Sequence, residues 1–361
     1  MEQQKDTMAM LDLLIRPAFC IKDGVIVRIN KAAEGLALEL GTQIADLLAT
    51  GQEEYLEFTD GCLYLTLMLS GASRSASVIR MDGFDVFILE EDAEQAELKA
   101  MALAAQSLRE PLSGIMTVAD SLFPAIENIN DPALSEQVSR INRGLFQMLR
   151  ILGNMSDADR YQNSITSHQE TRDIAALFRD QFDRITAKVS QAGINVHFTN
   201  LSQSIYCQVD AEKLERAVYN MISNAVKFTP KGGTIEATLV CRGTKLYFTV
   251  QDSGRGIPEN LRSSIYCRFL RQPTLEDGRH GIGLGMVLIR AAATAHGGTV
   301  LIEQPANQGM RITMTLKIRQ NKSGTLRSPI LSVDYAGEWD HSLIELSDSL
   351  PAELYREENK Y

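Results

Sequence analysis

The segment LERAVYNMISNAVKFTP, residues 214–230, sets the architecture of this 361-residue chain. Its apolar residues recur at the spacing of one helix face, which predicts a helix that carries Asn220 and Asn224 one turn apart on the same side. Two side-chain amides in that arrangement can share an ion or a phosphate. The segment therefore indicates a binding helix that needs further groups from elsewhere in the chain.

Three glycine-containing motifs follow this helix. DSGRGIP (residues 252–258) comes directly after the apolar run LYFTV (246–250), so a carboxylate stands where a strand ends and a turn begins. GIGLGMVLIR (281–290) is a glycine loop that leads into an apolar helix, whose first amides suit phosphate oxygens. HGG (296–298) ends that helix with residues that tolerate a left-handed backbone. Each motif is weak alone, but their order predicts one nucleotide pocket.

A dinucleotide-binding fold is the main competing interpretation of the glycine loop. That fold requires the glycines to follow a strand near the start of a βαβ unit. Here the polar segment RQPTLEDGRH (271–280) precedes them, so the segment is interpreted as part of a lid.

Together the four motifs resemble the ATP-binding domain of sensor histidine kinases over residues 171–319, a fold shared with gyrase, a heat-shock chaperone and a mismatch-repair protein. The resemblance implies that the chain binds ATP and Mg²⁺, with Asn224 as the magnesium ligand. It also implies that Lys227 faces the phosphates and that Asp252 accepts a hydrogen bond from the adenine amino group. The remaining residues that it implies for the pocket lie in the adenine turn, the aromatic box and the lid: Gly254, Gly256, Ile257, Phe269, Arg271, Gly281, Gly283, Leu284 and Gly285.

Asn220 occupies the position at which the hydrolytic relatives keep a glutamate base. An amide has no basicity with which to activate water. The resemblance therefore implies a site that holds the γ-phosphoryl group for transfer instead of losing it to hydrolysis.

Composition narrows the class of protein. A net charge of −10 argues against a general nucleic-acid binder, and no run approaches the ~18 apolar residues of a membrane span. The first residues lack a signal-peptide pattern, so we expect a cytoplasmic protein. The five cysteines are scattered and odd in number, which speaks against a disulfide framework.

The N-terminal part, residues 1–92, shows short apolar runs separated by glycine turns. Asp23-Gly24 lies between two such runs, which is typical of a two-residue hairpin. Asn30 then opens an Asn-x-Ala-Ala segment, and residues 31–36 are predicted to be helical. The pattern resembles a PAS sensor domain; the alternative is a small α+β domain with a packing role only.

Residues 93–163 change to a heptad pattern and predict two antiparallel helices joined by a turn over residues 124–132. The apolar seam of the first helix is Leu98, Met101, Ala105, Leu108, Leu112, Ile115, Ala119 and Leu122; that of the second is Leu134, Val138, Ile141, Leu145, Met148, Leu152 and Met155. One hairpin cannot bury both seams, so a homodimer with a four-helix bundle is predicted. The alternative is an intramolecular helical linker.

The segment LREPLSGI (108–115) resembles the phospho-acceptor motif of histidine kinases, but the acceptor histidine is replaced by Gln106. Ser107 and Glu110 replace two further residues of that motif. An amide cannot form the phosphoramidate that an imidazole forms, so ordinary autophosphorylation is excluded at this position. The five histidines of the chain are expected to be structural or solvated: His168, His197, His280, His296 and His341.

The predicted architecture is a multidomain α+β protein. It comprises a PAS-like α/β sensor (1–92), a dimerising hairpin (93–163), an α/β sandwich with a mixed sheet that binds ATP (164–320), and a tail (321–361). The tail contains the only tryptophan, Trp339, and is expected to pack on the sheet, to bind a partner or to end as a disordered acidic segment.

Three functions remain open on the sequence alone. The first is a sensor kinase of two-component signal transduction or phosphorelay that phosphorylates an acceptor other than position 106, such as a response regulator. The second is a non-catalytic scaffold in which ATP occupancy switches a dimeric signalling module. The third is a slow ATPase or a serine kinase; Asn220 and the helical hairpin speak against it.

Overall fold

The computed structural model describes Leu11 and residues 14–81, 83–90, 92–129, 131–163, 169–202, 204–256, 284–305, 309–318 and 339–359. The fold is α+β and multidomain, as predicted: a five-stranded N-terminal unit, a long helical hairpin, a second α/β unit and a C-terminal segment follow one another along the chain. Among the described residues, no helix combines the length and the apolar character that crossing a bilayer requires.

The N-terminal unit is an antiparallel sheet with two short helices. Its elements are β1 (Ala18–Lys22), β2 (Val25–Ile29), α1 (Ile44–Leu47), α2 (Gln52–Glu57), β3 (Cys62–Leu69), β4 (Ala72–Met81) and β5 (Phe84–Leu89). The predicted hairpin is confirmed, because Asp23 and Gly24 both take positive φ, 52° and 81°, between β1 and β2. The helix predicted over residues 31–36 is wrong in length, since only a single 3₁₀ turn, Lys31–Ala33, forms.

Asn30 explains that short turn. Its side-chain oxygen accepts hydrogen bonds from the backbone N–H groups of Ala18 (2.9 Å) and Ala33 (3.0 Å). Its amide nitrogen donates to the carbonyl oxygens of Leu14 (3.1 Å) and Arg16 (2.8 Å). One buried amide therefore caps the turn and ties it to the chain that enters β1.

The hairpin consists of α3 (Asp92–Glu127) and α4 (Pro132–Asn163). The predicted start of the turn at residue 124 is wrong, because α3 continues through Pro124 to Glu127. Proline removes one backbone donor, but Phe123 is buried and Ile126 packs against the core on either side of it. Side-chain packing therefore outweighs the lost hydrogen bond.

The heptad seam of α3 divides into two rows, and within each row the residues are seven positions apart in sequence. The row that is buried against the rest of the chain is Leu98, Ala105, Leu112 and Ala119. The row that remains exposed is Leu108, Ile115 and Leu122. In α4, Ile141 and Met148 are likewise exposed. The hairpin thus buries one side of its seam and leaves an apolar stripe on the other.

The second unit places helices against one face of a mixed sheet. Its elements are β6 (Glu170–Asp173), α5 (Ile174–Gln191), β7 (Asn195–Asn200), β8 (Tyr206–Val209), α6 (Ala211–Phe228), β9 (Thr234–Arg242), β10 (Lys245–Asp252), α7 (Leu284–Ala295), β11 (Val300–Glu303) and β12 (Arg311–Lys317). The apolar run at residues 246–250 lies within β10, which confirms the strand predicted before Asp252.

The two sheets join into one. The strand order is β2-β1-β5-β4-β3-β11-β12-β10-β9-β7, in which β3 pairs antiparallel with β11 through Tyr64 opposite Val300 and Cys62 opposite Ile302. All pairs are antiparallel except β7 with β9. Nothing in the sequence indicated this junction. Gly61 makes it possible, since a Cβ there would collide with the carbonyl oxygen of Ile302.

The C-terminal segment, residues 339–359, contains α8 (His341–Glu345) and packs against helices α4, α5 and α6. The suggestion that it packs on the sheet is therefore wrong. Its apolar residues Leu343, Ile344, Leu346 and Leu350 are fully buried. The ring of Trp339 lies 6.0 Å from that of Phe146 on α4. The apolar side chains of this segment therefore pack between helices.

Candidate nucleotide-binding site

Helix α6 is held at its first turn by the end of α7. The carboxylate of Asp210 caps the helix by accepting a hydrogen bond from the N–H of Lys213 (3.2 Å). The N–H of Asp210 in turn donates to Nε2 of His296 (3.0 Å), whose Nδ1 lies 2.7 Å from the carbonyl oxygen of Ala292. His296 therefore acts as a neutral structural residue that fixes α6 relative to α7.

Asn220 lies at the contact between α6 and the start of α7, and is 1% exposed. Its amide nitrogen donates to the carbonyl oxygen of Arg216 (2.8 Å). A Cβ added to Gly285 would lie 2.7 Å from its side-chain oxygen. Glycine at this position thus lets the first turn of α7 approach Asn220 closely.

Asn224 and Lys227 follow on the same side of α6. Asn224 is half-buried, while Lys227 is 10% exposed with its Nζ 3.3 Å from the carboxylate of Asp348 in the C-terminal segment. Burial lowers the pKa of Lys227 below its usual 10.5; Arg150 acts in the same direction and Asp348 opposes it. A largely buried ammonium group is stabilised by a neighbouring anion.

Asp252 is the last residue of β10. One carboxylate oxygen accepts from the N–H of Gly254 (2.8 Å) and the other from the N–H of Met310 (3.2 Å). Burial raises the pKa of Asp252 above its usual 3.8, and these two hydrogen bonds oppose the rise. A Cβ at Gly254 would lie 2.5 Å from the carbonyl oxygen of Phe228, and Gly256 has φ +62°. Glycines therefore let the turn pass close to α6.

Several predicted pocket residues lie outside the described residues, namely Ile257, Phe269, Arg271, Gly281 and Gly283. Leu284 is described and buried. It forms a cluster with Leu288 of α7 and with three residues of the hairpin, Leu98, Ala158 and Tyr161. The start of α7 is thus packed against the hairpin.

Arg150 of α4 is a residue of this site that the sequence did not indicate. Its guanidinium is 3% exposed and donates to Oγ of Ser223 (3.0 Å) and to the side-chain oxygen of Asn220 (3.3 Å). It also lies 2.8 Å from the carboxylate of Asp348. In sequence, a buried arginine that pairs with other helices cannot be distinguished from an arginine exposed to solvent.

Arg216 of α6 forms a second link of this kind. Its guanidinium pairs with Asp157 of α4 (2.6 Å) and with Glu345 of α8. Both Arg216 and Glu345 are buried. The helix with the two asparagines is therefore joined by ion pairs to the hairpin and to the C-terminal segment.

Gln106 lies exposed on α3, as do Ser107 and Glu110. The Oγ of Ser107 donates to the carbonyl oxygen of Ala104 (2.8 Å). Arg109 reaches Oγ of Ser156 on α4 (3.4 Å). The acceptor-like segment is thus on the surface of the hairpin, and its arginine bridges the two helices.

The described side chains suit a nucleotide with its metal better than a metal alone. No group of three or more His, Cys, Asp or Glu residues in the described ranges could hold a metal ion. Mg²⁺ commonly takes few protein ligands and completes its shell with phosphate oxygens and water. The single amide of Asn224 fits that pattern, and the predicted phosphate contact Lys227 is paired with the carboxylate of Asp348.

Comparison with known proteins agrees with this geometry. The family described as histidine kinase-, DNA gyrase B- and HSP90-like ATPase matches residues 209–320. Hybrid signal transduction histidine kinase D of Dictyostelium discoideum is 30% identical over 263 residues, which are 68% of this chain and 16% of that protein. The adaptive-response sensory kinase SasA of Gloeothece citriformis is 28% identical over 270 residues, 69% of this chain and 66% of that one.

Among solved structures, full-length ShkA in complex with AMPPNP has a TM-score of 0.50 at 21% identity, covering 62% of this chain and 47% of that one. The fold and the matched domain are those of the histidine-kinase type of ATPase. Residues 209–320 belong to that ATPase family, and about two thirds of the chain is similar to the two histidine kinases above. The chain spans between about a sixth and two thirds of the length of these two curated relatives.

Proposed function

We propose that this protein is an ATP-dependent switch of two-component signalling, in which Mg-ATP bound to the second unit alters the packing of a dimeric hairpin. The observation that carries the proposal is the contact of Arg150 with Asn220 and Ser223. The hairpin thereby reaches the helix that the motifs assign to ATP. A ligand that changes the surroundings of Asn220 changes the hairpin contact as well.

The described residues would divide the binding of ATP between two ends of the pocket. Asp252 would accept a hydrogen bond from the adenine amino group, and Gly254 and Gly256 would let the turn approach the ring closely. At the other end Lys227 would face the phosphates and Asn224 would ligate Mg²⁺. Bound Mg-ATP would supply the γ-phosphoryl group and the metal charge that neutralises it.

Gln106 at the acceptor position is the reason for proposing a switch that does not phosphorylate its own hairpin. The amide at this exposed position cannot accept a phosphoryl group as an imidazole does. The ion pairs of Arg216 and the cluster around Leu284 instead link the pocket to α4 and α8. Occupancy of the pocket is therefore the signal that the hairpin can report.

Transfer of phosphate to a different acceptor is the second candidate. Asn220 supports it, because a neutral amide beside the phosphates does not activate water, which favours retention of the γ-phosphoryl group. A response regulator would be the partner. The exposed row Leu108, Ile115 and Leu122 supports a homodimer in either case. The scattered and odd-numbered cysteines of the sequence support action in the reducing cytoplasm.

Titration of the full chain with ATP, with and without Mg²⁺, tests the proposal. Affinity should depend on Mg²⁺ and be lost in Asn224→Ala and Asp252→Asn, whereas Asn195→Ala, an exposed asparagine on β7, should bind normally. Hydrogen exchange of α4 around Arg150 should change on binding. Absence of magnesium-dependent binding would reject the function.

Incubation with γ-labelled ATP separates the two candidates. Label on the chain or on an added response regulator would favour transfer. A chain that binds ATP, changes exchange in α4 and remains unlabelled would favour the switch without transfer.

A further inference from the structure

The C-terminal segment is anchored on α4 by contacts that do not involve the predicted ATP ligands. Asn142 donates to the carbonyl oxygen of Tyr355 (3.1 Å). Arg143 and Gln147 donate to the carbonyl oxygen of Ser347 (3.1 and 3.0 Å). The hydroxyl of Tyr355 closes the segment on itself by donating to the carbonyl oxygen of Leu343 (2.9 Å). These contacts place residue 348 next to α6.

Asp348 is the acidic residue that this anchoring presents to the site. One of its carboxylate oxygens lies 2.8 Å from a guanidinium nitrogen of Arg150 and 3.3 Å from Nζ of Lys227. The carboxylate is 17% exposed, and both cations are more buried than it is. A carboxylate oxygen held by two little-exposed cations reproduces the surroundings of a bound phosphate oxygen.

The same segment also touches the helix face beside the two asparagines. Oγ of Ser349 lies 3.4 Å from Oγ of Ser223, and the hydroxyl of Tyr219 lies 2.9 Å from Oγ of Ser342. Ser223 is the residue to which Arg150 donates. The segment therefore covers α6 from Tyr219 to Lys227, alongside the surface assigned to the phosphates.

We propose that Asp348 is an internal competitor of the nucleotide phosphates, so that the C-terminal segment holds the ATP site in a weakly binding state until Asp348 leaves Lys227 and Arg150. The inference rests on the proposed ATP function and names the regulation of that site. Two anions cannot use the same cations without repulsion. Release of Asp348 would give Lys227 to ATP and would at the same time free Arg150, the hairpin residue that contacts Asn220.

A purely structural role for Asp348 is the alternative explanation. In that role the carboxylate only neutralises two buried cations, and its removal destabilises the fold without strengthening ATP binding. Only the competitor role expects ATP to bind more tightly when the charge of Asp348 is removed. Both roles expect unchanged binding of adenosine, which has no phosphate.

Binding of ATP and of adenosine to the full chain, measured by calorimetry and by NMR respectively, tests the inference. Asp348→Asn should bind ATP roughly five- to tenfold more tightly, in the usual range for coupled sites, and should bind adenosine unchanged. Asp348→Glu, which keeps the charge, should resemble the wild type. Glu353→Gln removes the same charge from an exposed position of the segment and should also leave ATP affinity unchanged.

The outcomes separate this inference from the proposed function. Unchanged or weaker ATP binding by folded Asp348→Asn, with the wild type binding ATP, would overturn the inference and leave the function standing. Tighter binding in Glu353→Gln as well would show a general charge effect and overturn it too. If no variant bound ATP, the proposed function would fail and the inference with it. Circular dichroism confirms in each case that the variant is folded.

Discussion

The guanidinium of Arg150 donates a 3.3 Å hydrogen bond to the side-chain oxygen of Asn220, across the boundary between the hairpin and the second unit. Asn220 and Arg150 are 1% and 3% exposed. A buried contact between a charged group and a neutral amide holds only if the charge finds compensation nearby. Asp348, at 2.8 Å, provides that compensation from a third part of the chain. The hairpin, helix α6 and the C-terminal segment therefore meet at Arg150.

Arg150→Ala should strongly destabilise the protein, because it leaves buried acidic and polar partners without their cation. Loss of one member of a buried pair typically costs about 3–5 kcal/mol. Urea unfolding measures the free energy. Arg140→Ala removes an arginine of the same helix that is exposed and paired with Glu136 four residues before it; this change should cost less than about 0.5 kcal/mol. Equal losses in the two variants would contradict a special role for Arg150.

Gly61→Ala should separate the two halves of the continuous sheet. The new Cβ meets the carbonyl oxygen of Ile302 at the junction of β3 with β11, in a backbone with φ +101°. Hydrogen exchange of β11 should become faster, since its partner strand is displaced. Gly71→Ala is the matched control, with φ +80° but open space around the added Cβ. Gly71→Ala introduces backbone strain without a steric clash, so hydrogen exchange of β11 should stay slow in this variant. Faster exchange of β11 in both variants would refute the steric explanation.

Ile115→Glu should weaken self-association of the full chain. Ile115 lies in the exposed row between Leu108 and Leu122, and a charge in a helix interface lacks a partner there. Sedimentation velocity should show a dimer for the wild type and a shift to monomer for the variant. Leu40→Glu introduces the same charge at another exposed leucine, outside the helices, and should leave the dimer intact. A wild type that sediments as a monomer would exclude the homodimer.

The pH dependence of stability should reveal the carboxyl group of Asp252. Because burial raises its pKa above 3.8, the folded protein binds this proton more tightly than the unfolded chain does. The resulting stabilisation is present at low pH and is lost as pH rises from 3.8 through the folded pKa. The wild type should therefore lose stability relative to Asp252→Asn over that interval, by about 1.4 kcal/mol for each unit of the rise. A difference that stays constant with pH would contradict the raised pKa.

Local sequence pattern predicted several secondary-structure elements, among them the helix that carries Asn220, Asn224 and Lys227. Helical spacing around these residues, the Asp23-Gly24 turn and the apolar runs before Asp252 each depend on neighbours in sequence, so they predicted α6, the first hairpin and β10. The sequence predicted that α3 ends before Pro124, whereas the helix continues to Glu127. Packing of Phe123 and Ile126 against the core outweighs the local preference of proline to end a helix.

Tertiary structure decided what surrounds that helix. The approach of Arg150 to Asn220, the pairing of β3 with β11 and the placement of Asp348 beside Lys227 join residues between 70 and more than 200 positions apart. Such contacts leave no periodic signal, since an arginine or aspartate reads the same in sequence whether it is solvated or buried. The candidate binding motifs could thus be predicted from residue order, whereas the contacts that surround them depend on long-range packing and on the compensation of buried charge.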